Sequence, residues 1–142
     1  MNNKEIHEVF ALFAKAKGKE AKKQVLLDNI SYALLDVIRG SIDSTVVWLL
    51  PEGAPPYTAN KEESTPSSLL KQNKMFAYFA KGGSGQGLTQ MRREQLFIGV
   101  LEGIHPLDAK IVITMISKKV PVKGLTRALV NEVFPALLQD NK

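Results

Sequence analysis

One basic stretch, KKVPVKGLTRALVNEVFP at residues 118–135, contains the residue types best suited to bind an anion. Lys123 and Arg127 flank a glycine and a threonine at the point where a helix is predicted to begin. Gly124 would allow a ligand to approach closely, and Thr126 would cap the helix while neighbouring N–H groups point outward. Because helix N-termini attract anions, the pattern predicts a phosphate site. The alternative is a capped turn whose cations bind nothing.

The positive charge of the chain is concentrated in two segments. The formal net charge is +5. Five lysines fall within residues 15–23, where Glu20 is the only acid. Residues 109–131 contain five cations and no acid, and two of these cations are the adjacent Lys118 and Lys119. Clustered cations favour a polyanionic partner, and the alternative is a solvated basic face.

A second candidate for phosphate contact is the glycine-rich segment GGSGQG at residues 82–87. It lacks the preceding strand of a dinucleotide-binding fingerprint and the Gly-Lys-Ser/Thr ending of a P-loop, so nucleotide binding is not predicted. The simplest interpretation is a flexible connection between helices. The alternative is that Gly83, Gly85 and Gly87 expose N–H groups close to a nucleic-acid backbone.

The remaining residues do not suggest catalysis or metal binding. The absence of cysteine excludes disulfides and thiolate metal sites. His7 and His105 are the only histidines, too few for a typical metal site, and His105 precedes Pro106 at an expected helix entry, which favours a structural role. There is no nucleophile elbow and no pair of acids at a telling spacing. We therefore expect no enzyme activity, no metal and no cofactor.

The elements that would position these residues are helical. With 44% hydrophobic and 23% charged residues, the composition is typical of a globular protein. Apolar residues recur at helical spacing almost throughout, so we predict an all-α, single-domain bundle of six to eight helices over residues 1–142. Gly40 is predicted to stop the third helix, and residues 45–50 are interpreted as a short helix rather than a strand. The main stripes lie at residues 6–13, 19–27, 30–38, 67–79, 89–101, 106–116 and 125–134.

Two irregular segments interrupt the predicted bundle. Residues 51–66 are rich in proline and predict an ordered excursion or a mobile loop, and residues 82–87 form the glycine-rich loop. No apolar run is long enough to cross a membrane, and the N-terminus lacks the apolar region of a signal peptide. A cytoplasmic protein is therefore expected.

The order of helices resembles the N-terminal DNA-binding domain of ATP-dependent DNA ligases, especially those of tailed phages. The likeness is carried by KEIHEVFALFAKAKGKEAKKQVLLDN near the start and, best, by HPLDAKIVITMISKKVPVKGLTRALVNEVFP at residues 105–135. There an acid opens a helix, the helix ends in lysines, a basic-glycine turn follows, and the next helix finishes near Phe-Pro. The segment LLDVIRGSIDSTVVWLLPEGAPPY also resembles small uncharacterised proteins of large tailed phages. The matching residues are Asp108, Lys118, Lys119, Lys123, Gly124, Thr126, Phe134 and Pro135.

In those ligases the domain grips the minor groove of duplex DNA around a nick, mainly through phosphates. The resemblance implies that the matched turn and the loop at residues 82–87 lie on that side. The Lys-x-Asp-Gly adenylation motif is absent, and the chain stops where a ligase continues into its nucleotidyltransferase domain, so ligation is not expected. The implied DNA contacts are Lys118, Lys119, Lys123, Gly124, Thr126, Arg127, Gly83, Gly85 and Gly87.

The first hypothesis is therefore a freestanding, non-enzymatic duplex DNA binder, largely independent of sequence, that works in phage DNA metabolism and in the host cytoplasm if phage-encoded. The alternative is a protein–protein adaptor that keeps the fold and acts on phage or host replication or transcription machinery. If Lys118, Lys123, Arg127 and the loop at residues 82–87 share one basic face, DNA is favoured. If they scatter and an exposed apolar patch is present instead, the adaptor is favoured.

Overall fold

Seven α-helices and one 3₁₀ helix make up the regular structure in a computed structural model that describes residues 4–61 and 65–140. The predicted all-α class is confirmed, and seven helices lie within the predicted six to eight. In the described ranges the only β-type pairing is an isolated bridge between Trp48 and Ala80. The helices are α1 Ile6–Lys15, α2 Lys19–Asp28, α3 Tyr32–Ile42, α4 Leu69–Gln72, the 3₁₀ helix Asn73–Tyr78, α5 Gln90–Gly103, α6 Pro106–Ile116 and α7 Arg127–Val133.

Local caps fix the starts of several helices. Thr89 and Thr126 each accept a hydrogen bond from the backbone N–H three residues later, as the sequence predicts for α5 and α7. Ser31 does the same for α3. Pro106 occupies the first turn of α6, where its missing N–H has no consequence, and the His105 ring nitrogen accepts from the Leu107 N–H. The structural role predicted for His105 is confirmed.

The core is one continuous cluster of apolar side chains in which α3, α5 and α6 pack together. α1 and α4 close it on further sides, and α7 packs on α2. The predicted stripe Ile6, Val9, Phe10 and Phe13 is buried. Phe79 and Phe97 meet edge to face with ring centroids 5.3 Å apart, an arrangement that adds to the energy of burial alone.

Two sequence expectations about the middle of the chain are wrong. Gly40 does not stop α3, which continues to Ile42, and it lies instead where the Trp48 ring packs on the helix. A Cβ atom at Gly40 would lie 2.6 Å from that ring. Residues 45–50 are not a short helix, because the Leu49 N–H donates to Phe79 and the Lys81 N–H to Val47. These backbone bonds hold the segment extended.

The excursion at residues 51–66 carries no helix or strand in its described part. The Thr58 N–H donates to the Glu102 carboxylate at 2.8 Å, and the Asn60 side chain donates to the Ile104 carbonyl at 2.9 Å. These two bonds tie the excursion to the end of α5. Its residues 62–64 lie outside the described ranges.

Candidate nucleic-acid interface

Arg127, predicted to face a phosphate, lies at the first position of α7 and forms a fork with a carboxylate. Its Nη1 and Nη2 donate to the two oxygens of Asp140 at 2.6 and 2.9 Å, and Nη2 also donates to the Ile42 carbonyl at 3.0 Å. The Asp140 carboxylate also accepts the Ser44 N–H at 2.8 Å. Hydrogen bonds from Arg127 and Ser44 hold the pKa of Asp140 well below its usual range. We call this group the C-terminal clasp, because it ties the last described residue to the end of α3.

Lys118 is also bound internally. Its Nζ donates to the carbonyls of Gly40, Asp43 and Val46 at 2.8, 2.7 and 3.0 Å. The ammonium therefore donates hydrogen bonds to carbonyls at and just beyond the C-terminal end of α3. The last C=O groups of a helix have no N–H partner within the helix. Burial lowers the pKa of this lysine. The backbone of Lys118 is left-handed, with φ at 57°, and the three bonds help to hold that unfavourable conformation.

Asp43 forms the centre of the same region. It is fully buried, and its carboxylate accepts bonds from the Arg39 guanidinium, the Thr45 N–H and the Gln139 N–H. Burial by itself would raise the pKa of Asp43, but these hydrogen bonds outweigh it and the pKa is lowered. Sequence reasoning missed both Asp43 and Asp140. The Arg39–Asp43 pair is a local signal at four-residue spacing, but the Gln139 N–H that also bonds Asp43 lies 96 positions away, and Asp140 lies 13 positions from Arg127.

The other residues of the predicted turn are on the surface. Lys119 and Lys123 are exposed. Gly124 has φ at 94°, a conformation that favours glycine, so its identity is explained by the turn itself. Thr126 caps α7 through a 3.1 Å bond from the Leu129 N–H. The predicted cap is therefore present. Both cations that were to flank the phosphate are exposed, but the guanidinium of Arg127 is paired with Asp140.

The turn lies against the first basic segment. A Cβ placed on Gly124 would lie 3.7 Å from the side chain of Lys22, whose Nζ donates to the Phe13 carbonyl at 2.8 Å and lies 4.9 Å from the Phe13 ring centroid. At the other end of α7, Glu132 forms ion pairs with Lys19 and Lys23. Side-chain hydrogen bonds from Lys19 and Lys23 lower the pKa of Glu132.

The fold thus joins the two cation-rich segments of the sequence into one surface, which we call the basic end: residues 15–23 and 118–132 with Asp140. Nine cationic side chains stand there against the carboxylates Glu20, Glu132 and Asp140. The excess of six positive charges accounts for the whole net charge of +5, so the remainder of the chain is close to neutral.

The glycine-rich loop is held from inside by Arg93. This arginine is buried at the start of α5, and its Nη2 donates to the carbonyls of Gly85 and Leu88 at 3.0 and 3.1 Å. The N–H groups of Gly82, Gly83 and Gly85 donate to Gln86, Ala80 and Ala77. Gly83 and Gly85, two of the three candidate phosphate contacts, therefore already have acceptors for their amides, and so does the neighbouring Gly82. The carbonyls that Arg93 contacts lie five and eight residues before it in the chain. An arginine at this spacing is visible in the sequence, but the spacing alone does not show that the side chain holds the loop.

Two of these glycines are required by close backbone packing. A Cβ on Gly83 would lie 2.1 Å from the Ala77 carbonyl oxygen, and one on Gly85 would lie 2.2 Å from that of Tyr78. Gly87 has open space around its Cα. Of the three predicted loop contacts, Gly87 alone has room for a ligand beside its Cα.

Away from the basic end, a buried polar cluster joins α1 to α6. The Asp108 carboxylate is fully buried and accepts from the backbone N–H of His7 at 2.8 Å, while the His7 Nδ1 lies 3.0 Å from the same oxygen. Burial raises the pKa of Asp108. The rings of His7 and His105 stack with centroids 4.0 Å apart. The sequence predicted that Asp108 would stabilise the N-terminal end of α6. In the structure its carboxylate instead joins α6 to α1 through His7.

No group of three or more acidic or histidine side chains within the described ranges is arranged to hold a metal ion. Over the same ranges, no helix combines the length and the apolar character that crossing a bilayer requires.

Comparison with known proteins gives a family without an activity. Residues 9–121, which are most of the chain, match the family of unknown function DUF6433. No curated protein matches the chain. The matched span covers the first basic segment, the glycine-rich loop and Lys118, and it ends before the Lys123–Arg127 turn.

Proposed function

The chain belongs to the DUF6433 family, and because that description assigns no activity, we propose a function from the molecular surface: non-enzymatic binding of duplex DNA through phosphate contacts at the basic end, largely independent of sequence. The observation that carries the proposal is that the two segments with excess positive charge lie against each other, at Gly124 with Lys22 and at Glu132 with Lys19 and Lys23. A concentrated positive surface attracts polyanions, and phosphate contacts supply affinity without reading bases.

The structure also changes which residues are expected to make the contacts. The N–H donors of Lys118 and Arg127 are already bonded to carbonyls and to Asp140. We therefore expect these two side chains to act through their charge and not through direct hydrogen bonds to phosphate. The exposed lysines of the two segments are better placed. These are Lys15, Lys17, Lys119 and Lys123, whereas Lys19 is exposed but paired with Glu132.

The decisive experiment compares two charge-matched double variants. Lys17→Ala/Lys123→Ala removes two exposed cations from the basic end, and Lys71→Ala/Lys74→Ala removes two exposed cations from α4 and the 3₁₀ helix. Binding to a fluorescein-labelled 20-base-pair duplex is measured by anisotropy over a salt series. The first variant should weaken binding and flatten the plot of log affinity against log salt by about one unit per lost phosphate contact.

The second variant should leave both the affinity and the slope close to those of the parent. If the parent does not bind duplex at low salt, or if both variants weaken binding equally, the basic end is not a DNA-binding surface. Nicked and single-stranded versions of the same oligonucleotide show whether the surface prefers a particular DNA structure.

A separate observation favours a second function, the binding of a protein partner. An apolar groove that includes the most exposed large hydrophobic side chain in the described ranges, Tyr32 at 85% exposure, lies at the start of α3. This groove does not involve the cations of the basic end.

A further inference from the structure

A groove of about 740 Å³ runs between the N-terminus of α3 and α4. Its lining combines aliphatic and aromatic side chains with two lysines. The residues that line it are Ile30, Ser31, Tyr32, Leu35, Leu70, Lys71, Asn73 and Lys74.

Two apolar side chains of this groove are largely exposed to solvent and are not part of the buried core. Tyr32 is 85% exposed and Ile30 is 48% exposed. Ser31 accepts the Leu34 N–H at 3.1 Å and so caps the first turn of α3, in which Tyr32 is the first residue. An exposed aromatic ring beside aliphatic side chains is a composition enriched at the centres of protein–protein interfaces.

A second, smaller depression continues the groove. Its volume is about 350 Å³, and Trp48, Phe76, Ala77 and Ala80 give it an apolar wall. The two depressions share Asn73 and Lys74. Between them the Asn73 side chain donates to the Asp36 carboxylate at 2.7 Å. The surface therefore offers two apolar seats separated by a polar bridge.

The charge of the Tyr32 groove is positive. Lys71 and Lys74 line it, and Lys74 also lines the Trp48 pocket, where the guanidinium of Arg39 is already paired with the Asp43 carboxylate. The one carboxylate that lines either seat, among the described residues given above, is Asp36, which accepts from the neutral Asn73 amide. An occupant with carboxylates beside its apolar anchors complements this pattern.

We propose that this bipartite groove binds an acidic peptide segment of a partner protein. One large apolar side chain of the peptide fills the Tyr32 groove, a second fills the Trp48 pocket, and its carboxylates face Lys71 and Lys74. The inference gives the protein-binding function its surface and partner class, and it does not depend on DNA binding at the basic end.

The test starts from a probe of unbiased sequence. A phage-displayed library of random 16-residue peptides is selected on the immobilised full chain, with counter-selection on the Tyr32→Ala/Lys74→Glu variant. Enriched peptides are synthesised and titrated by calorimetry. They should contain several acidic residues and at least two large apolar residues.

Three variants then assign the binding to the groove. Tyr32→Ala and Lys71→Glu/Lys74→Glu should each weaken the affinity of the enriched peptides by about tenfold or more, since removal of an interface anchor or reversal of a complementary charge has effects of that size. Met91→Ala is the matched control, because Met91 is 72% exposed on α5 and does not line the groove. Its affinity should equal that of the parent.

Several results would overturn the proposal. One such result is that no peptide is enriched; another is that the enriched peptides are basic or bind Tyr32→Ala as tightly as the parent. A dimer seen by sedimentation velocity and abolished by Tyr32→Ala would show that a second copy covers the groove. Loss of single-stranded DNA binding in Tyr32→Ala would show that the ring stacks on bases. The groove variants should bind duplex DNA as the parent does. A loss of peptide binding in these variants then concerns the groove alone and leaves the DNA-binding proposal for the basic end unaffected.

Discussion

The glycines of the loop at residues 82–87 differ in what surrounds them, although the sequence presents them alike. The Cα of Gly85 is packed against the Tyr78 carbonyl, so Gly85→Ala would force a methyl group into backbone at 2.2 Å. We expect this substitution to lower the free energy of unfolding by roughly 1–3 kcal/mol, the range found for overpacking. Urea denaturation followed by far-ultraviolet circular dichroism measures it.

Gly87→Ala is the matched control in the same loop. No atom lies within 4 Å of its added Cβ, and its φ is not in the left-handed region. The free energy of unfolding should be unchanged or raised by up to about 1 kcal/mol, because alanine restricts the unfolded chain. Equal destabilisation by the two substitutions would mean that the loop is not packed as described.

The ion pair between Arg127 and Asp140 should make the stability of the folded protein depend on pH. The pKa of Asp140 in the folded protein lies below its ordinary value of 3.8, mainly because Arg127 donates to it. The unfolded chain therefore binds this proton more readily, and the clasp contributes stability above pH 3.8 that is lost as the pH falls towards the folded pKa. Asp140→Asn should lower the melting temperature at pH 7.

The difference between Asp140→Asn and the parent should narrow steadily below pH 3.8, since the parent carboxylate is then protonated as well. Thermal denaturation at a series of pH values records this. A difference that stays constant from pH 7 to acid conditions would show that the carboxylate charge is not what holds the C-terminal segment.

At the scale of the helices, α7 depends on its cap. It has seven residues, too few to be stable alone, and Thr126 satisfies one of the N–H groups that its first turn leaves without a helical partner. Thr126→Ala should cost about 1 kcal/mol of unfolding free energy. Chemical denaturation without DNA measures this.

Thr126→Ser retains the hydroxyl and should keep most of that stability. If alanine and serine behave alike, the hydroxyl does not cap the helix. The effect should appear whether or not DNA binds, which separates the cap from any phosphate contact of the same turn.

The sequence predicted the helices well where a local signal fixes them. The threonine caps and Pro106 mark helix starts through bonds made within one turn, so they can be recognised from neighbouring residues alone. The prediction failed at Gly40 and at residues 45–50 because their conformations depend on Trp48 and on the segment around Ala80. Those partners are distant in sequence, and no periodicity reveals them.

At the scale of the whole molecule, the sequence identified the cations but not their partners. The two basic segments are visible in the sequence, but only the fold shows that Lys118 contacts carbonyls and that Arg127 contacts Asp140. The Tyr32 groove was missed for a similar reason. Tyr32 and Leu35 lie off the buried face of α3, a visible signal that was outweighed by the stronger stripe of Leu34, Val37 and Ile38.

The two proposed surfaces use different helices. The basic end is built on α2, α7 and the turns before them, and the groove is built on α3, α4 and the 3₁₀ helix. α2 and α3 are separated by three residues, so DNA bound at one surface and a peptide bound at the other would lie on consecutive parts of the chain.

Trp48 gives the smaller seat of the groove an optical label of its own. It is the single tryptophan of the chain, its indole N–H donates to the Gly40 carbonyl at 3.0 Å, and its ring forms part of the pocket wall. Intrinsic emission excited at the red edge of the protein absorption band therefore arises from one known position. Any change in that emission reports on the wall of this pocket, without an attached dye.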